Sequence, residues 1–245
     1  MRIALCYNGY HTSWEMIQLP FYYWDSTILI LLPGILLVLF AQIRVQSTFK
    51  RYQRVQTQRG VTAEQTARQL LDDAGLQDVP IERVAGSLSD HYDPRSRTLR
   101  LSEVVAASTS VASVGVAAHE VGHAIQHARE YTPLTVRNAI YPVVNIASSL
   151  AIPLLLLGFV LELSGLVTAA LILYASVLVF QLITLPVEYN ASSRAKALLA
   201  DGYLTHEEVR GAGKVLSAAA MTYLASTLMA LLQFLRLVAI ARSRD

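Results

Sequence analysis

The sequence predicts a mainly α-helical membrane protein with about four transmembrane helices and a small α+β domain outside the bilayer. Of its 245 residues, 53% are hydrophobic and only 16% are charged, whereas soluble domains carry about 25% charged residues. The apolar residues are pooled in long segments separated by charged stretches, as in multi-pass membrane proteins. Four segments are candidate spans: residues 27–43, 143–163, 166–185 and 215–240.

Charge and cysteine content exclude several kinds of protein. The net charge is +2, and no basic patch with interleaved aromatic residues is present, so we expect no nucleic-acid partner. Cys6 is the single cysteine, so an intrachain disulfide is impossible and a bound metal must use histidine and carboxylate ligands. The N-terminal segment, residues 1–26, lacks the apolar core of a secretory signal.

The first span, residues 27–43, sets the predicted topology. Before it lies only Arg2, and directly after it come five basic residues: Arg44, Lys50, Arg51, Arg54 and Arg59. The positive-inside rule therefore places residues 44–142 in the cytoplasm. Membrane lipid is thus an expected partner.

Residues 44–142 carry the signals of the α+β domain. Thr62 and Gln65 form a capping box at the start of a predicted helix. Residues 79–84 are a candidate strand, and residues 88–101 are typical of a hairpin that turns at Asp93-Pro94.

Residues 143–185 are predicted to form a helical hairpin that leaves the cytoplasm and returns to it, because only a tight turn joins its two apolar segments. Residues 186–214 are polar, and residues 215–240 form the fourth apolar segment. The arginines after it would then lie outside, against the charge rule. The alternatives are a shallow or re-entrant fourth segment and a fourth segment that packs as a protein-covered helix.

The run His119-Glu120-Val121-Gly122-His123 has the H-E-x-x-H pattern of zinc hydrolases. Helical spacing of four places His119 and His123 on one face, where both imidazoles can bind one Zn²⁺. Glu120 is then the candidate catalytic base that takes a proton from water. The alternative is a helix with two hydrogen-bonded histidines.

Such a site needs a third protein ligand on the same side of the membrane, and Glu188 meets this condition because two crossings separate it from His123. A carboxylate at a membrane boundary is otherwise unfavourable. The alternative is a Glu188 paired with Arg194 or with lipid headgroups. Weaker candidates on the allowed side are Glu130, His206, Glu207 and Glu208.

Three further residues are candidates for supporting roles. His127 lies one turn beyond His123, which does not fit the six-residue spacing of a third histidine ligand, so we expect it beside the metal ligands or at the surface. His91, in the hairpin, is a candidate for holding an oxyanion, and the hairpin edge is a candidate for pairing with an extended substrate. Asn190 is a candidate for orienting the ligands.

These residues resemble the bacterial family of membrane zinc metallopeptidases typified by YugP. The resemblance covers about residues 19–240 and is carried by these motifs: LPG at 32–34, DHYDP at 90–94, LRLS at 99–102, AAHEVGHAIQH at 117–127, LPVEYNAS at 185–192 and ALLQ at 230–233. It implies a gluzincin-like enzyme of the plasma membrane with a zincin-like domain and two histidines and one glutamate on zinc. The chain is more distantly similar to HtpX-type proteases. Those usually carry an aspartate where this chain has Ser192.

The function that we expect is zinc-dependent hydrolysis of peptide bonds in membrane or membrane-adjacent proteins. One alternative is an inactive membrane scaffold that keeps the fold and binds a partner. Another is a zinc hydrolase that acts on bonds other than peptide bonds. The presence of Glu120 favours an enzyme, since a scaffold needs no general base.

Overall fold

The computed structural model describes residues 27–86 and 89–242, so the N-terminal segment 1–26 lies outside the described residues. After a 3-10 turn at Leu29–Leu31 the elements are α1 (Leu32–Gln53), α2 (Ala63–Asp73), β1 (Ile81–Val84), β2 (His91–Asp93), β3 (Thr98–Ser102), α3 (Glu103–Ala106), α4 (Val111–Ala128), α5 (Thr132–Val160), α6 (Ser164–Ala200) and α7 (His206–Arg242).

Four of these helices, α1, α5, α6 and α7, are long and apolar enough to cross a membrane. This confirms the mainly helical class with about four candidate spans and a small sheet. Each helix continues beyond its apolar segment, because a change to polar side chains does not interrupt backbone hydrogen bonding. In particular, α6 runs unbroken from the apolar residues before 185 to Ala200. Glu188 therefore lies within a long helix.

The long helices pack in the order α1, α7, α6, α5. Helix α1 runs antiparallel to α7, since Gly34 near its start lies against Met229, while Tyr52 near its end lies against Gly211. Helices α5 and α6 form the predicted hairpin, joined by a short turn in which Glu162 has a φ of 54°.

The predicted β-hairpin supplies β2 and β3 of a three-stranded sheet in the order β1, β3, β2, in which β2 is an edge strand. Strand β3 pairs parallel with β1 and antiparallel with β2. The carboxylate of Asp93 accepts hydrogen bonds from Arg100, from the Arg95 backbone and from Ser96. These donors, Arg100 first, hold the pKa of Asp93 well below its usual range. These hydrogen bonds connect β2, the turn and β3 of the β-hairpin.

Helix α4 lies at the centre of the fold. It starts at Ser110, whose side chain caps the Ser113 N–H, and packs against α2, α6 and α7. Most of its residues are buried, and many are alanine, valine or glycine. The predicted capping box of Thr62 and Gln65 starts α2, which covers another side of α4. The main core of the molecule therefore surrounds the helix that carries the H-E-x-x-H motif.

Helices α4 and α6 approach each other closely at Gly122. A Cβ atom at this position would lie 2.7 Å from the carbonyl oxygen of Ala191, a backbone atom that cannot move aside independently of its helix. Gly122 lies between the two motif histidines, and Ala191 lies three residues after Glu188. The absence of a side chain at Gly122 thus sets the distance between the two ligand-bearing helices.

We expect Gly122→Ala to push α4 and α6 apart, because overpacking a well-packed contact costs about 1–3 kcal/mol. The Tm should fall by about 2–4 °C for each kcal/mol, and the bound zinc should decrease. Thermal unfolding and metal analysis of the purified protein measure both quantities. Gly165→Ala is the control, since no atom lies within 4 Å of its added Cβ. Equal stability and zinc content in both variants would contradict this role of Gly122.

Candidate metal centre

Three side chains from two helices converge at one point. The Nε2 atom of His119 lies 3.3 Å from the Oε2 atom of Glu188, and that of His123 lies 3.6 Å from the same oxygen. One ligand atom from each residue lies within 4.8 Å of the others. Glu188 is only 3% exposed. The structure thus brings the two motif histidines together with the glutamate from beyond the membrane hairpin.

This donor set fits a zinc ion. Tetrahedral zinc with ligands at about 2.0–2.2 Å separates two neighbouring ligand atoms by about 3.3–3.6 Å. The two distances to Glu188 Oε2 match this separation. Two histidines and one carboxylate form a three-ligand set with an open fourth position, which is the composition of catalytic zinc sites.

Hydrogen bonds fix the orientation of each imidazole. The Nδ1 atom of His123 lies 3.0 Å from Gln126 Oε1, and the Nδ1 atom of His119 lies 3.2 Å from Ser192 Oγ. Gln126 donates its own amide to the Val187 carbonyl and to Asn190 Oδ1, so its Oε1 must accept the proton on His123 Nδ1. This leaves the His123 Nε2 lone pair directed at Glu188 and the metal position.

Asn190 contacts Gln126, which in turn contacts the ligand His123. Its Oδ1 accepts hydrogen bonds from Gln126 and, at 2.7 Å, from Arg194 Nε. Arg194, the alternative partner of Glu188, therefore bonds to Asn190. The arginine that pairs with Glu188 is instead Arg137, whose Nη1 lies 3.8 Å from Glu188 Oε1. Among the weaker ligand candidates, Glu208 is buried, and its carboxylate is satisfied by the backbone N–H groups of Gln58 and Thr205.

Glu120 faces the same space as the three ligands and is 8% exposed. Its Oε2 accepts the backbone N–H of Tyr92, on β2, at 3.0 Å. The edge strand thus holds the carboxylate beside the metal position. The Tyr92 N–H points away from β3, so the outer edge of β2 faces the site.

Two further candidate histidines, His91 and His127, line the same cavity. His127 Nδ1 is 2.9 Å from the Tyr92 hydroxyl, and His91 donates its Nδ1 proton to the Ser89 carbonyl at 2.8 Å. Both line the cavity but do not belong to the ligand group. Burial raises the pKa of the Tyr92 phenol, which keeps it a neutral hydrogen-bonding group.

Burial and the neighbouring carboxylates shift the pKa of His123 in opposite directions. Burial alone would lower its pKa, but the hydrogen bond to Glu188 and the negative charges of Glu120 and Glu188 outweigh burial and raise it. The same carboxylates favour a metal cation. Protons and a metal therefore compete for His123.

The site opens into a cavity of about 760 Å³. The edge strand with residues 90–95 forms one wall, and Arg137, Asn138 and Tyr141 of α5 and Tyr223 of α7 form the other. The sequence interpretation did not include Gln126, Arg137 or Tyr223. Gln126 follows His123 at a helical spacing of three, and Arg137 is a lone charge before a long apolar segment, so both left a weak signal in the sequence.

Comparisons with known proteins agree with this site. A family described as "Putative neutral zinc metallopeptidase" matches residues 27–242. A relative, "Putative membrane protease YugP" of Bacillus subtilis (strain 168), is 48% identical over 202 residues, which cover 82% of this chain and 90% of the relative. No solved structure matches the chain.

The extent of the family match and the identity to this relative settle the family. The predicted zinc cofactor is confirmed by the family together with the placement of His119, His123 and Glu188. The resemblance seen in the sequence is also confirmed. The chain therefore belongs to the neutral zinc metallopeptidase family.

Proposed function

We propose that this chain is a zinc-dependent endopeptidase that hydrolyses peptide bonds of membrane or membrane-adjacent proteins. The observation that carries the proposal is the position of Glu120. Its carboxylate faces the metal ligands and is held by the backbone of an edge strand. A general base, a three-ligand metal set and a peptide-binding edge thus meet in one cavity.

Each group has a distinct task in this reaction. His119, His123 and Glu188 would hold zinc, and the bound ion would supply Lewis acidity toward a carbonyl group and toward water. Glu120 accepts the proton of the attacking water and then delivers it to the leaving amine. The hydrogen bond from Tyr92 keeps the Glu120 carboxylate in place while it does so.

The edge strand favours a polypeptide substrate over other hydrolysable molecules. An extended peptide adds to an exposed strand edge through main-chain hydrogen bonds. Strand β2 is the outer strand of the sheet and lines the cavity beside Glu120. A peptide aligned on this edge would pass the metal position with its carbonyl groups at regular intervals.

We place the active site at the cytoplasmic face of the plasma membrane. The basic residues that follow the first apolar segment lie at the end of α1 that adjoins the start of α7. Helix α4 packs against α1, α6 and α7. The positive-inside rule assigns this end of the bundle to the cytoplasm.

Glu120→Gln should keep zinc and reduce peptide hydrolysis by about 10²–10⁴-fold, the usual contribution of general acid–base catalysis. The amide keeps the shape of the side chain but cannot take the proton. Zinc content and turnover of a peptide library are measured on the same preparation. Glu130→Gln serves as the matched control because Glu130 is exposed and does not line the cavity. Unchanged turnover in Glu120→Gln would remove Glu120 from the mechanism.

Glu188→Ala should lower zinc affinity by more than about 100-fold, the upper range for groups that only support a ligand. It removes one of three protein ligands and leaves Arg137 without its nearest carboxylate. Metal analysis after dialysis measures the effect, with Glu207→Ala at an exposed position as the control. Full zinc occupancy in Glu188→Ala would assign the third ligand to another residue.

Gln126→Leu should lower zinc affinity by about 10–100-fold, because it removes the acceptor that orients His123. Gln126→Glu restores this acceptor and should recover part of the affinity, although it loses the bonds to Val187 and Asn190. Competition with a chromophoric chelator measures the affinity of each variant. If both variants bind zinc like the wild type, Gln126 does not position His123.

A further inference from the structure

The cavity has an opening between α5 and α7. Both helices pack against α6, and they make at most a marginal contact with each other. Tyr141 of α5 and Tyr223 of α7 line the cavity from the two sides, and Glu188 of α6 lies between them. This part of the cavity therefore forms a cleft between the two helices, and the metal ligand Glu188 lines it. We call it the α5–α7 cleft.

The α5–α7 cleft reaches the depth of the apolar segments. The apolar part of α5 begins at residue 143, two residues after Tyr141, and that of α7 begins at residue 215. Tyr223 lies eight residues further along α7, or about 12 Å along the helix axis. The same cavity thus extends from the edge strand at one end to the level where the apolar parts of α5 and α7 begin at the other.

Polar side chains line this cleft. Arg137 and Asn138 lie just before the apolar part of α5, and Tyr223 lies within the apolar part of α7. Polar groups at or inside the membrane boundary commonly mark a path or a binding site. All three can donate hydrogen bonds to backbone carbonyls.

Unwound backbone needs such donors near the bilayer. A transmembrane helix must become extended before its peptide bond can reach a metal site, and each unpaired backbone group in hydrocarbon costs several kcal/mol. The donors in the α5–α7 cleft would satisfy carbonyls on the membrane side, while β2 would pair with the segment beyond the metal position.

We infer that the substrate enters laterally through the α5–α7 cleft and is the extended segment next to a transmembrane helix of an anchored protein. This inference rests on the proposed peptidase function and adds the route and the class of substrate. Tyr141 marks the outer end of the route: it is 50% exposed and its ring lies 6.0 Å from that of Phe180. Asn138, one turn before Tyr141, lies inside the cleft.

The test uses the zinc-loaded Glu120→Gln protein in lipid vesicles, with photoreactive p-benzoylphenylalanine in place of Tyr141. The probe is a single-pass helix followed by an unstructured tail, and the same tail without the helix is the comparison. We expect cross-links to the tail residues next to the helix, with a yield at least about tenfold above that of the free tail at equal concentration. The photoreactive residue at Val143, which is 68% exposed and outside the cavity, is the matched position and should give little product.

A second variant blocks the route. Asn138→Trp narrows the cleft and should lower the cross-link from position 141 by about tenfold, whereas Val143→Trp should leave it unchanged. Zinc content of both variants verifies that the metal centre is intact. Equal cross-linking from positions 141 and 143, equal yields for anchored and free tails, or no effect of Asn138→Trp would overturn the inference. Failure of the peptidase proposal is separate, since it would appear as absent zinc-dependent turnover of the peptide library by the wild-type protein.

Discussion

The buried carboxylate of Glu188 is the constraint on which the metal centre depends. A carboxylate that is 3% exposed loses several kcal/mol of hydration unless positive groups compensate. His119, His123 and Arg137 surround it, and a divalent cation bound among the three ligand atoms would add two further positive charges. Because α6 is apolar for most of its length before Glu188, this compensation has to come from the docked helix α4 and from α5. The charge of one side chain thus requires three helices to meet.

That meeting requires small residues along α4. Gly115 and Gly122 lie where a side chain would approach Ala212 of α7 and the Ala191 backbone of α6. The close approach buries polar residues at a spacing of three, Glu120, His123 and Gln126, and each of them has a partner in another element or on the same helix. A buried polar row of this kind is stable only when it is fully hydrogen-bonded. The packing of α4 and the geometry of the metal centre therefore both require small residues on this helix.

The sequence was sufficient to predict those features that depend on residues close together in the chain. The H-E-x-x-H spacing, the capping box at Thr62, the turn at Asp93-Pro94 and the pooled apolar segments each depend on neighbouring residues, and the structure contains the corresponding elements. Helix ends were less predictable, because the polarity of residues 186–200 changes while α6 continues through them. Gln126 and Arg137 were missed because their roles arise from contacts with residues about 50 to 60 positions away. Periodicity carries no information about such contacts.

The order of the long helices leaves room for the cavity beside the metal ligands. Helices α5 and α7 each pack on α6 but at most marginally on each other, and Tyr141, Glu188 and Tyr223 line the cavity that lies between them. Strand β2 stands at the edge of its sheet and lines the cavity without a neighbouring strand on that side, and its Tyr92 N–H is bonded to Glu120. An open sheet edge exposed to bulk solvent invites unspecific pairing with other chains. Here the helices beside the cavity limit what can reach that edge, which is the selectivity that the proposed peptidase function requires of a binding surface next to the metal ligands.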